Sequence, residues 1–159
     1  DNDYYLKHTI SGAYNEAGSI FADFRLSKTH RDNYNAIFYG HNMTDGSMFR
    51  ALRNWYEDYA TRDAAAETME IEIITREGVY IYEPFAAYRE VGAHFITASF
   101  ADEKDYLAFL KEIQSKSVLR RRPSYDANSR ICTLVTCTNA MEGERYVLHG
   151  ILKSVVYYG

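Results

Sequence analysis

A mostly β fold is predicted, an antiparallel sheet closed into a barrel or sandwich with helices as connections. Three observations predict it. Short runs alternate apolar and polar residues or stay apolar for a strand's length along most of the chain. Only two stretches carry clear helical spacing. Tyrosine, at 15 of 159 residues, suits strands and half-wet grooves better than helical bundles.

Taken in order, "NYNAIFYG" (33–40) reads as a short buried strand stopped by Gly40. "DGSMFRALRNWYEDYA" reads as a helix, with Met48, Phe49, Leu52, Trp55, Tyr56 and Tyr59 on one face and charges opposite. "ETMEIEIIT", "REG" and "VYIYEPFAAYRE" form a strand, a turn and a returning strand. Pro84 has no amide hydrogen to give the ladder, so a bulge or an edge is expected there. "AHFITASF" reads as another strand. "ADEKDYLAFLKEIQSKS" is the second helix, capped by Asp102, with Tyr106, Leu107, Leu110 and Ile113 as its buried stripe. "RICTLVTCT" and "RYVLHGILKSVV" are two strands joined by "NAMEGE".

No repeat, linker or low-complexity tract divides the chain, so residues 1–159 read as a single domain with a core of its own. A net charge of −4 argues against a nucleic-acid partner, which requires a clustered basic face. The basic run in "LRRRPSY" (119–125) reads as a solvated loop face. Cys132 and Cys137 lie five apart in one extended run and should face opposite ways, so both read as free thiols. That fits a cytosolic protein, or an extracellular enzyme from an organism that uses few disulfides. No stretch approaches the ~20 apolar residues of a membrane span. The chain opens at "DNDYYL", mid-pattern and without methionine, and reads as lacking an upstream portion.

Cys137 ends its strand between Thr136 and Thr138, and two readings of it stay open: a small buried residue, or a nucleophile. Arg145, opening the returning strand, falls roughly across from it. A guanidinium there can stabilise a thiolate, or the oxyanion formed when a thiol attacks a carbonyl; the bland alternative is an exposed pair with Glu142 or Glu144. A thiol nucleophile also needs a base. His41 stands directly at the exit of the buried "IFYG" strand, where a scaffold holds an imidazole within reach of solvent. His149 shares a strand face with Arg145 and is a second candidate. His8, His30 and His94 read as loop or strand-end residues. An ordinary thiol and an ordinary imidazole favour the neutral pair over the ion pair by about 2.7 kcal/mol, so local tuning matters. No zinc, phosphate-loop, nucleophile-elbow or dinucleotide motif is present, and Glu70 and Glu72 read as the solvated face of a strand.

"DNDYYL", "GSIFAD", "NAIFYGHNMTDGSMF", "TLVTC" and "RYVLHGIL", in that order, resemble the class B sortases of Gram-positive bacteria. The resemblance implies a sortase-like β-barrel of about seven to eight strands, closed or nearly closed. It implies a cysteine transpeptidase with Cys137 as nucleophile, His41 as its histidine and Arg145 as its arginine. Asn2 and Leu6 fall on substrate-groove positions, and Thr136 belongs to the same T-L-x-T-C strand end. The helix at 102–117 corresponds to one that walls the groove. The implied partners are an LPxTG-like sorting-motif peptide (the class B NPxTx type) and an amine from a peptidoglycan cross-bridge or a pilin lysine, with no metal or other cofactor. The implied location is the extracellular face of the membrane, through an N-terminal anchor that, with N-terminal helices and a first strand, lies outside this chain. Val135 stands where the family often has serine. Hydrolysis with water as acceptor, and a silent peptide-binding barrel, are the alternative functions.

Overall fold

The structure is a computed structural model describing residues 2–138 and 141–159. Six strands form one sheet: β1 (Phe21–Ala22), β2 (Asn35–Tyr39), β3 (Ile71–Ile74), β4 (Gly78–Val91), β5 (Ile131–Cys137) and β6 (Glu144–Tyr157). Their spatial order is β1-β2-β5-β6-β4-β3, and the sheet curls into a half-barrel with β1 and β3 at its edges. The mostly β class is as expected. All neighbours pair antiparallel except β2 and β5, which run parallel in a register from Asn35 opposite Ile131 to Tyr39 opposite Val135.

Alternation along the central strands sorts the side chains into two layers. Ile37, Ile131, Val135, Val147 and Ile151 join the cluster covered by helix α4 (Glu103–Lys116). Leu134, Tyr146 and Leu148 join the opposite cluster, packed beneath Leu52 and Ala66. Helix α4 begins as expected, with the Asp102 carboxylate accepting from the Asp105 amide at 2.8 Å. Its buried stripe is Tyr106, Phe109, Leu110 and Ile113; Leu107 is turned partly outward, and Phe109 takes the place expected for it. The β3–β4 hairpin forms as read, and the β4–β6 register shifts at Pro84, where a strand without an amide hydrogen bulges.

Three expectations are corrected. The six strands fall short of about seven to eight, because "AHFITASF" forms a 3-10 turn (His94–Ile96) and a loop rather than a strand. Phe95 drops into the core there, and side chains, not a neighbouring strand, satisfy the carbonyls of Ile96 and Thr97. The single helix expected from residue 45 onward is broken into a 3-10 turn (Arg50–Arg53) and α2 (Asn54–Glu57). Met48 takes a positive φ of 55°, and the Asp58 carboxylate accepts from the amides of Ala60 and Thr61, ending the helix with a side-chain turn. A further helix, α3 (Arg62–Thr68), occupies the alanine-rich "RDAAAET". The basic run is not merely solvated: Arg120 pairs with Asp63 at 3.3 Å, Arg121 with Glu83, and Arg122 folds back on the Leu119 carbonyl.

Candidate active site

The parallel seam between β2 and β5 makes both strands leave the sheet at the same end. The Gly40 amide donates to the Val135 carbonyl at 3.2 Å, extending the ladder to the residue before His41. His41 therefore emerges beside the end of β5, where Cys137 sits. Antiparallel pairing of β5 with β6 sets Arg145 directly opposite Cys137. All three positions continue the alternation that points Ile37, Val135 and Val147 toward the α4 layer. One cavity of about 330 Å³ is lined by His41, Cys137 and Arg145, and by the three further expected residues Asn2, Leu6 and Thr136. Its apolar wall includes Phe21, Phe95, Ile96 and Val135.

The His41 ring is held from the N-terminal side. α1 (Asn2–Tyr5) leads into Leu6, whose carbonyl lies 2.7 Å from His41 Nε2. A carbonyl only accepts, so Nε2 carries the proton and Nδ1 is the open nitrogen of the neutral ring. The next residue, Asn42, ties the His41 turn to the end of β5. Its Nδ2 donates to the Cys137 carbonyl at 2.7 Å, and its Oδ1 accepts from Arg50 Nη1 at 2.9 Å.

Cys137 is half-buried at the cavity, whereas Cys132 is fully buried on the other face, where burial pushes its thiol up to about 12. A thiol so desolvated is inert as a nucleophile. Arg145 is half-buried and donates from Nη1 to the Glu144 carbonyl at 2.9 Å. The Glu144 carboxylate is engaged elsewhere, by the Thr138 hydroxyl at 2.8 Å and Arg89 at 3.7 Å. Among the described residues, no carboxylate lies within ion-pair distance of Arg145. Thr136 is 3% exposed, and its hydroxyl has no hydrogen-bond partner among the described residues.

His149, the second candidate base, is excluded by its surroundings. It is fully buried beneath α4, with Nε2 2.8 Å from the Tyr88 hydroxyl and Nδ1 2.8 Å from the Thr133 hydroxyl. Burial pushes its pKa down to about 3, and it does not line the cavity. Two features went unread in the sequence: the Asn42 brace and a buried carboxylate, Asp23, behind the cavity. The polar pair "HN" at a strand exit and the "DFR" spacing were the local signals for them. The described residues contain no cluster of three or more His, Cys, Asp or Glu able to hold a metal, and no helix long and apolar enough to cross a membrane.

A curled sheet with a thiol, an imidazole and a guanidinium around one cavity at its end defines a protein of the sortase class. No protein-family model matches the chain. Sortase B of Listeria monocytogenes is 34% identical over 155 residues, covering 96% of this chain and 61% of that protein. Sortase B of Clostridium perfringens superposes with a TM-score of 0.87 at 28% identity, over 97% of this chain and 83% of that one. The Staphylococcus aureus sortase B–substrate complex superposes with a TM-score of 0.83 at 33% identity, over 98% of this chain and 71% of that one. The chain belongs to the class B sortase family. It spans about three-fifths of the length of the curated relatives it matches, 61% and 55%.

Proposed function

We propose that the chain is the catalytic domain of a cysteine transpeptidase, with Cys137 as nucleophile, His41 as proton carrier and Arg145 as oxyanion partner. The observation that carries this reading is the convergence of these three side chains on one cavity through the β2–β5 and β5–β6 registers. Cys137 Sγ attacks the threonine carbonyl of a sorting motif, and its proton passes to His41 Nδ1 while Leu6 holds Nε2–H. The Arg145 guanidinium, free of any carboxylate partner among the described residues, stabilises the oxyanion. Collapse breaks the peptide bond; His41 gives its proton to the departing amine, and an acyl thioester remains on Cys137. An incoming amine then loses a proton to His41 and attacks the thioester, the oxyanion forms again beside Arg145, and the thiol is restored on release.

Asn2, Leu6 and Thr136 line the same cavity. The substrate is a sorting-motif peptide of the NPxTx type and the acceptor an amine of the cell wall or of a pilin subunit, at the outer face of the membrane. Support comes from relatives, one solved as a sortase B–substrate complex and another as sortase B complexed with triglycine. The test is ligation: a sorting-motif peptide is incubated with and without oligoglycine, and products are weighed. Amine-dependent ligation that vanishes in Cys137→Ala is the expected result. Hydrolysis indifferent to the amine would assign the site to a peptidase, and turnover surviving Cys137→Ala would remove the nucleophile assignment.

A further inference from the structure

Transpeptidation as written leaves one buried carboxylate without a task. Asp23 follows β1 directly, and its side chain is fully shielded from solvent. Five hydrogen bonds converge on it. The Arg25 amide and Nε reach Oδ1 at 2.9 and 2.7 Å, while Arg25 Nη2, the Tyr39 hydroxyl and Asn2 Nδ2 reach Oδ2 at 2.7, 2.7 and 3.2 Å. Burial alone would raise the carboxyl pKa; the donors from Arg25 and Tyr39, with the Arg25 charge, outweigh it and hold Asp23 well below the usual carboxylate range. It is a fixed negative charge that works as an anchor.

Its partners reach three different walls of the cavity. Tyr39 sits two residues before His41. Arg25 Nη2 also donates to the Ile96 carbonyl at 2.9 Å, gripping the segment after β4. Asn2 opens α1, and its Oδ1 accepts from the Phe24 amide at 3.0 Å, so both ends of the Asn2 amide are spent on residues 23 and 24. One turn later the same segment delivers the Leu6 carbonyl to His41.

We propose that Asp23 is a positioning residue, and that Asn2 acts through it as a latch pinning α1 so that Leu6 holds the His41 ring in register with Cys137. On this assignment Asn2 serves the cavity from behind, without itself gripping substrate. The proposal rests on the reading of His41 as proton carrier, and its test carries a readout that does not depend on turnover. Asn2→Ala, Asp23→Asn and the double variant are compared in ligation kinetics and in solvent exchange of the His41 ring N–H by NMR. Each single change is expected to lower kcat roughly tenfold or more, since small misplacements of a proton carrier are costly. KM should stay within about twofold, because no substrate contact is removed. The double variant should be no slower than the worse single, since both cut one chain of contacts. Ring N–H exchange should quicken about tenfold or more in all three, as opening of the Leu6 contact becomes easier.

Multiplying effects in the double variant, a raised KM with intact kcat in Asn2→Ala, or unchanged ring exchange would each overturn the latch. Should Asp23→Asn fail to fold, the partly exposed Asn2→Ala decides by the same kcat–KM split and ring exchange. If ring exchange responds while the unaltered chain ligates nothing, the latch stands and the transpeptidase reading falls.

Discussion

Mild acid should cost this protein stability through His149. The Thr133 hydroxyl spends its hydrogen on Asn35 Oδ1 at 2.6 Å, so it can only accept from His149 Nδ1. Nε2 is then the bare nitrogen that accepts from Tyr88. A second proton on the ring would need a site that is desolvated and faces a donor. The folded pKa is about 3, against the ordinary 6.5 of the unfolded chain. With the folded value depressed, the unfolded state binds more protons between the two. The stability from a neutral His149 is therefore complete above about pH 6.5, falls by ~1.4 kcal/mol per pH unit below it, and is gone near pH 3. By pH 4.5 the loss is about 3 kcal/mol, a large part of the 5–15 kcal/mol typical of a folded domain. Urea unfolding of the native chain and of His149→Gln at pH 7.0, 5.5 and 4.5 measures it. The variant is less stable at neutral pH, and the gap should shrink by about 3 kcal/mol toward pH 4.5. His30, also lowered by burial, acts alike in both proteins and cancels. A gap that stays constant over this range would refute the assignment of His149 as a neutral core group.

Arg145→Ala should lower kcat for ligation by about 10²–10³-fold, the usual cost of an oxyanion partner, with only a small change in melting temperature; an undiminished kcat would remove Arg145 from the mechanism. Iodoacetamide at pH 8 should add one label, to Cys137. With its pKa near 12, Cys132 is thiolate in only about one molecule in 10⁴ and is sealed from reagent. Intact mass should show one adduct on the native chain and none on Cys137→Ala.

Much of the sheet was legible in the sequence because its hairpins are local: "ETMEIEIIT" and "VYIYEPFAAYRE" pair with their chain neighbours, as do the two last strands. Cys137, His41 and Arg145 stood out for the same reason, each at the end of a strongly patterned strand. What brings the first two together is not local. β2 finds β5 across nearly a hundred residues, and nothing in either strand announces a parallel partner. The long helix failed where the apolar spacing of Met48 to Tyr59 outlived the backbone that was to carry it, since Met48 and Asp58 each impose a turn. "RDAAAET" showed no apolar stripe because one alanine, Ala66, is all that it buries. Asp23 left only the "DFR" spacing as a signal, because of the residues that supply its five donors, Asn2, Arg25 and Tyr39, only Arg25 lies near it in the chain.

The parallel seam separates reactivity from the excursion that joins its two strands. Five matched positions between residues 35 and 39 and residues 131 and 135 set where imidazole and sulfur emerge, however long the path from one to the other. That path carries the 3-10 turn, whose Phe95 and Ile96 shape one wall of the cavity. Exchanging residues 92–130 for a relative's segment would thus retune what the cleft admits while imidazole and sulfur keep their spacing.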